Sequence, residues 1–123
     1  MDKSKELQVI VKAKELAEHT IRKTSNCKNF PKKYRFTLVD KMQVKSLQIY
    51  EKLMEANSTK LADKEKRLEL QTQAIIFCDE LQFFIELTMR LNIISVREVE
   101  FWGNLVSEIK TMTIAWRTRD KER

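Results

Sequence analysis

Ser95-Val96-Arg97-Glu98-Val99-Glu100-Phe101-Trp102-Gly103-Asn104-Leu105-Val106-Ser107-Glu108-Ile109-Lys110-Thr111-Met112-Thr113-Ile114-Ala115-Trp116 reads as one amphipathic helix that carries its own start signal. Ser95 followed three residues later by Glu98 matches a capping box, in which the Ser95 hydroxyl accepts from the Glu98 N–H and the Glu98 carboxylate from the Ser95 N–H. Behind it Val99, Trp102, Val106, Ile109, Thr113 and Trp116 recur at three- and four-residue steps, the spacing that lines one side of a helix. Phe101, Leu105 and Met112 widen the stripe. Gly103 costs about 1 kcal/mol there relative to alanine, which predicts close approach of another helix to its backbone.

The same period recurs upstream. Leu7, Ile10, Ala13, Ala17 and Ile21 predict a helix over about 5–24, ended by Thr24-Ser25-Asn26 and by Pro31, which disfavours helical geometry at Phe30. Val39, Met42, Ser46, Ile49, Leu53 and Ala56 predict a second over about 36–57. A third, about 61–91, opens with Lys64, Glu65, Lys66, Arg67 and Glu69, the mixed charges of a solvated turn. The fourth is expected over about 96–117, followed by a polar tail, Arg117 to Arg123, that frays.

One glycine and one proline in 123 residues leave almost none of the residues that hairpins require. The expectation is an all-α, antiparallel up-down-up-down four-helix bundle, one domain over 1–123, because short links make consecutive helices neighbours. The third helix carries two apolar stripes: Leu68, Ile75, Cys78, Ile85 and Met89, and Leu70, Ala74, Phe77, Leu81, Phe84, Thr88 and Leu91. A bundle helix needs one stripe toward its core, so the surplus predicts a homo-oligomer, with Phe77, Leu81, Phe84 and Leu91 at the interface.

Catalytic chemistry is poorly supplied. His19 is the only histidine, so two-histidine metal sites within one chain are excluded and any triad would have to be built on His19, which reads as a surface or groove histidine of the first helix; one mid-helix glycine cannot make a phosphate-cradling loop. No enzyme activity, cofactor or metal is expected. Cys27 and Cys78 lack zinc-site spacing and read as reduced thiols. The N-terminus has no apolar signal core, and no apolar run approaches a membrane span, so the expected location is cytoplasmic.

The charge distribution is uneven. Between positions 22 and 45 stand Arg22, Lys23, Lys28, Lys32, Lys33, Arg35, Lys41 and Lys45 against Asp40 alone, a local +7 in a chain of net +6. Cations so placed can neutralise phosphates and release counterions, which predicts RNA or DNA binding with weak sequence specificity. Phe30, Tyr34 and Phe36 are interleaved with them and can stack on unpaired bases; the competing expectation is that Phe30 and Phe36 plug the bundle end while the lysines are merely solvated. Trp102 and Trp116 share the apolar face of the fourth helix and read as packing.

Phe30-Pro31-Lys32-Lys33-Tyr34-Arg35-Phe36 leading to Leu53-Met54-Glu55-Ala56-Asn57, and Ile94-Ser95-Val96-Arg97-Glu98-Val99 leading to Ser107-Glu108-Ile109 and Ala115-Trp116-Arg117, resemble the accessory variability determinant proteins of diversity-generating retroelements. The resemblance implies a basic, barrel-like homopentamer of four-helix bundles that binds nucleic acid and associates with the retroelement reverse transcriptase in mutagenic retrohoming. Met112-Thr113-Ile114 departs from that pattern, which often has glycine before the tryptophan. The Phe-Pro-Lys entry to the second helix is also similar to the four-helix proteins encoded in intervening sequences of large-subunit ribosomal RNA genes, although Glu55-Ala56-Asn57-Ser58 departs from their usual helix end. A third reading is a structural or adaptor bundle that binds only protein.

Overall fold

The computed structural model describes the backbone of residues 3–123 and side chains from Gln8 onward, so the expected stripe residue Leu7 lies outside the described side chains. Four helices form an all-α bundle: α1 (Lys3–Ser25), α2 (Asp40–Ser58), α3 (Lys64–Arg90) and α4 (Val96–Glu122). Each packs on the next, and α4 returns to α1. Cross-helix pairs give the directions. Lys12 meets Glu108 at 2.9 Å and the Trp102 indole N–H donates to the Thr20 hydroxyl at 3.1 Å, so α1 and α4 are antiparallel. Lys110 with Asp79 at 2.6 Å and Arg67 with Asp120 at 2.7 Å make α3 and α4 antiparallel too.

The helix ends follow local chemistry. The Ser95 capping box forms with both reciprocal bonds, as the sequence predicts. At the end of α3, Asn92 adopts φ 58°, a left-handed conformation that asparagine tolerates better than most residues. The Asn92 N–H then donates to the Met89 carbonyl at 2.9 Å and the Ile93 N–H to the Thr88 carbonyl at 2.8 Å, a Schellman termination. The α-helical part of α2 starts later than the periodicity places it. Pro31 leads into a 3₁₀ turn over Lys32–Tyr34, and Arg35–Val39 forms a π-helical turn closed by the Asp40 N–H on the Arg35 carbonyl.

The core stripe of α3 differs from either expected stripe. Arg67, Leu70, Gln71, Ala74, Cys78, Leu81, Ile85 and Thr88 are buried, a set drawn from both stripes together with polar residues from neither. Leu81 is fully buried in the chain's own core, at 0% exposure, so it is withdrawn from the expected oligomer interface. The close neighbour of Gly103 is a side chain, not a helix backbone. The Gln82 amide donates to the Gly103 carbonyl and to the Ser107 hydroxyl, each at 2.9 Å, and a Cβ at Gly103 would lie 3.3 Å from the Gln82 oxygen.

The expected fraying of the tail is also overturned. Residues 117–122 continue α4 because Asp120, at 0% exposure, is buried against α3. Its carboxylate accepts from the Arg67 Nε and from the Gln71 amide, both at 2.7 Å. Arg67 Nη1 reaches the Thr59 carbonyl at 2.9 Å and its guanidinium lies over the Trp116 ring, 5.2 Å from the centroid. A buried ion pair gains little over an apolar replacement, but a buried charge that loses its partner is strongly destabilising. Arg67→Ala or Asp120→Ala is therefore expected to cost about 3–5 kcal/mol in urea unfolding. Arg67→Met combined with Asp120→Leu is expected to cost less than either single change, and a worse double variant contradicts this account.

Candidate nucleic-acid interface

The link between α1 and α2 is folded tightly. The Asn26 side-chain oxygen accepts from the Lys28 N–H at 3.0 Å, and its carbonyl accepts from the Asn29 and Phe30 N–H groups at 3.0 and 2.9 Å. Gln43 ties the two helices together by donating to the Thr24 hydroxyl at 2.9 Å. Phe30 is buried and meets Trp102 edge to face with centroids 6.5 Å apart. Phe30 thus plugs the bundle end, and Tyr34 is half-buried against the core with Lys33 over its ring at 5.2 Å. Phe36 does not join them: the residue is 77% exposed.

The eight expected cations divide into two groups. Arg22 is exposed but bonded to Glu18 at 3.0 Å, Lys23 is paired with Glu98, and Lys45 is paired with Glu80 at 2.7 Å while lying over the Phe77 ring. Lys28, Lys32, Lys33, Arg35 and Lys41 are exposed, and among the described residues they form no ion pair. Lys32 and Arg35 also line a cleft of about 340 Å³ with Thr24, Phe30, Asp40 and Gln43. This stretch therefore presents five exposed cations that form no ion pair among the described residues, with one carboxylate, Asp40, in their midst.

A second surface feature lies between α2 and α3. Val44, Ile76, Phe83 and Phe84 line an apolar cleft of about 820 Å³ whose rim carries Lys41, Lys45, Asp79 and Glu80. Of the interface residues expected from sequence, only Phe84 lies here. Phe77 is half-buried under Lys45, and Leu91 is exposed at the end of α3. Sequence reasoning missed Ile76 and Phe83, which is 58% exposed; their seven-residue separation on one helix face was the available signal.

Other groups offer less chemistry. His19 is half-buried against Phe101 and Trp102, with ring centroids 5.1 and 5.6 Å away, and burial, followed by the nearby Lys23 charge, lowers its pKa. Burial pushes the Cys78 thiol up to about 12. Among the described residues no group of three or more His, Cys, Asp or Glu side chains could hold a metal ion, and no helix is long and apolar enough to cross a membrane.

No protein-family model matches the chain, and no curated protein matches it. A solved structure shares the fold: a protein of unknown function from the S23 ribosomal protein family of Bacteroides thetaiotaomicron. It is 17% identical, with a TM-score of 0.82 over 93% of this chain and 98% of that one.

Glu98 links the candidate interface to the cap of α4. The Lys23 ammonium, then the Ser95 N–H, hold its carboxyl at about 2, below the ordinary 4.5. A depressed carboxyl contributes stability above its unfolded value and loses it as pH falls through the folded one. Urea midpoints are therefore expected to fall between pH 4.5 and 2, and to fall less in Glu98→Gln. An equal decline in both proteins contradicts the assignment.

Proposed function

We propose that this chain is a non-enzymatic nucleic-acid-binding subunit whose phosphate contacts come from Lys28, Lys32, Lys33, Arg35 and Lys41. The observation that carries the reading is their exposure without carboxylate partners among the described residues, whereas Lys23 and Lys45 nearby are committed within the fold. Lys and Arg that neutralise phosphates release counterions, so affinity falls with salt and depends little on base sequence. The resemblance to accessory variability determinant proteins supplies the finer role: a cytoplasmic, pentameric partner of a retroelement reverse transcriptase that supports mutagenic retrohoming without catalysing synthesis.

A second reading is a ribosomal RNA intervening-sequence protein, kept in view by the fold likeness to the S23 ribosomal protein family member. Both readings require polyanion binding and differ in partner. A reverse transcriptase gene with template and variable repeats beside this gene separates them.

Fluorescence anisotropy with labelled RNA and DNA over a salt series tests the shared claim. Lys32→Glu with Arg35→Glu is expected to weaken binding about tenfold or more and to flatten the dependence of log affinity on log salt, with helicity unchanged. Lys60→Glu with Lys66→Glu, two exposed sites at the opposite end of the bundle, is expected to have a much smaller effect. Equal losses from both pairs contradict the localisation, and no loss from either favours a protein-only adaptor.

Self-association belongs to the same proposal, and the α2/α3 cleft is its contact surface. Phe83→Asp is expected to reduce the sedimenting mass to that of one chain, because Phe83 is the most exposed apolar group lining that cleft. A wild-type protein that sediments as a monomer at micromolar concentration removes this part of the proposal.

A further inference from the structure

Phe36 is an aromatic side chain that the bundle does not use. It has the highest exposure among the large apolar residues described, and no aromatic ring packs against it among the described residues. Phe30 already fills the bundle end against Trp102, and Leu38 and Met42 bury themselves in the core from the same connection and the start of α2. Phe36 projects from the π-helical turn Arg35–Val39, a rare geometry that occurs frequently at functional sites. Arg35 adjoins it, with Lys32 and Lys33 on one side in sequence and Lys41 on the other, all exposed.

We infer that Phe36 is a base-stacking platform, and that the polynucleotide this interface takes is single-stranded. The inference rests on the proposed phosphate-binding role of the surrounding cations. An unpaired base offers a free π-face to an aromatic ring, whereas the bases of a duplex are already stacked on each other. The backbone phosphates flanking such a base fall to the exposed lysines and arginine that neighbour Phe36 in sequence. A two-fold contact with a second copy is a poor occupant of this position, because it would set the same five cations against their counterparts, and a polyanion is the complement of a patch so rich in cations. Stacking is indifferent to base identity, so the platform adds affinity for unpaired strand without adding sequence preference.

The test uses the full chain with labelled oligo(dT), oligo(U) and a mixed-sequence blunt duplex of matched length. Phe36→Ala is expected to weaken binding to both single strands on the order of tenfold while leaving duplex affinity and the salt slope unchanged. Phe36→Trp is expected to retain wild-type affinity, and its exposed indole emission should be quenched as single strand is added. A Phe36→Ala variant that loses nothing, or loses single strand and duplex equally, overturns the inference. So does a change in sedimenting mass, which would assign Phe36 to a protein contact. Lys32→Glu with Arg35→Glu separates the two levels: if that pair weakens every probe while Phe36→Ala is inert, only the stacking inference fails, whereas if the charge reversals are inert, the phosphate-binding reading fails as well.

Discussion

The ion pair of Arg67 and Asp120 ties three parts of this structure together: α3, the end of α4 and the residue that follows α2. Taking two charges out of water costs several kcal/mol per ion, and the cost is recovered only where geometry is good and the remaining polar atoms find partners. Here the carboxylate accepts from two side chains of α3, while the guanidinium also bonds the carbonyl of Thr59 beyond the end of α2. Directional bonds of this kind hold at one register only, and Arg123, 3.7 Å from the Asp120 carboxylate, adds to them. The pair pins one end of α4 against α3, the bonds from Gln82 to Gly103 and Ser107 hold the same register farther along, and the link from α2 is tied in through Thr59.

The two ends of the bundle are consequently built from different chemistry. One is sealed by a buried charge pair. The other is sealed by Phe30 against Trp102, with the capping box of α4 beside it, and Lys23 joins α1 to that cap through Glu98. Glu98 takes up Lys23 at that end, while Lys28, Lys32, Lys33, Arg35 and Lys41 stay exposed. The asymmetry of the core thus has an external counterpart in where free positive charge resides.

Four helices in one closed order were legible because Val99, Trp102, Val106, Ile109, Thr113 and Trp116 repeat without interruption and the links are short. The same repeat continued one step reaches Asp120, and the α3 series Cys78, Ala74 and Gln71 continued backward reaches Arg67. Both seams therefore end on charges of opposite sign. Reading charge as solvent-facing hid this, since composition near Lys64, Glu65 and Lys66 gives Arg67 no mark of its own. The basic stretch was legible as charge, but which lysines were free was not, because Glu98 and Glu80 are distant in sequence from the Lys23 and Lys45 they occupy. Phe30 and Phe36 look alike in sequence, and only the packed bundle end distinguishes the plug from the exposed ring.

The two thiols differ in a way that has practical value. Cys78 is enclosed by the core, and a thiol held near 12 supplies almost no thiolate at neutral pH. Cys27 is exposed and lines the same cleft as Lys32 and Arg35. Alkylating reagents will therefore modify one atom of the native chain, with no cysteine introduced or removed. A dye placed there stands at the mouth of the basic cleft, where a bound strand would alter its surroundings directly.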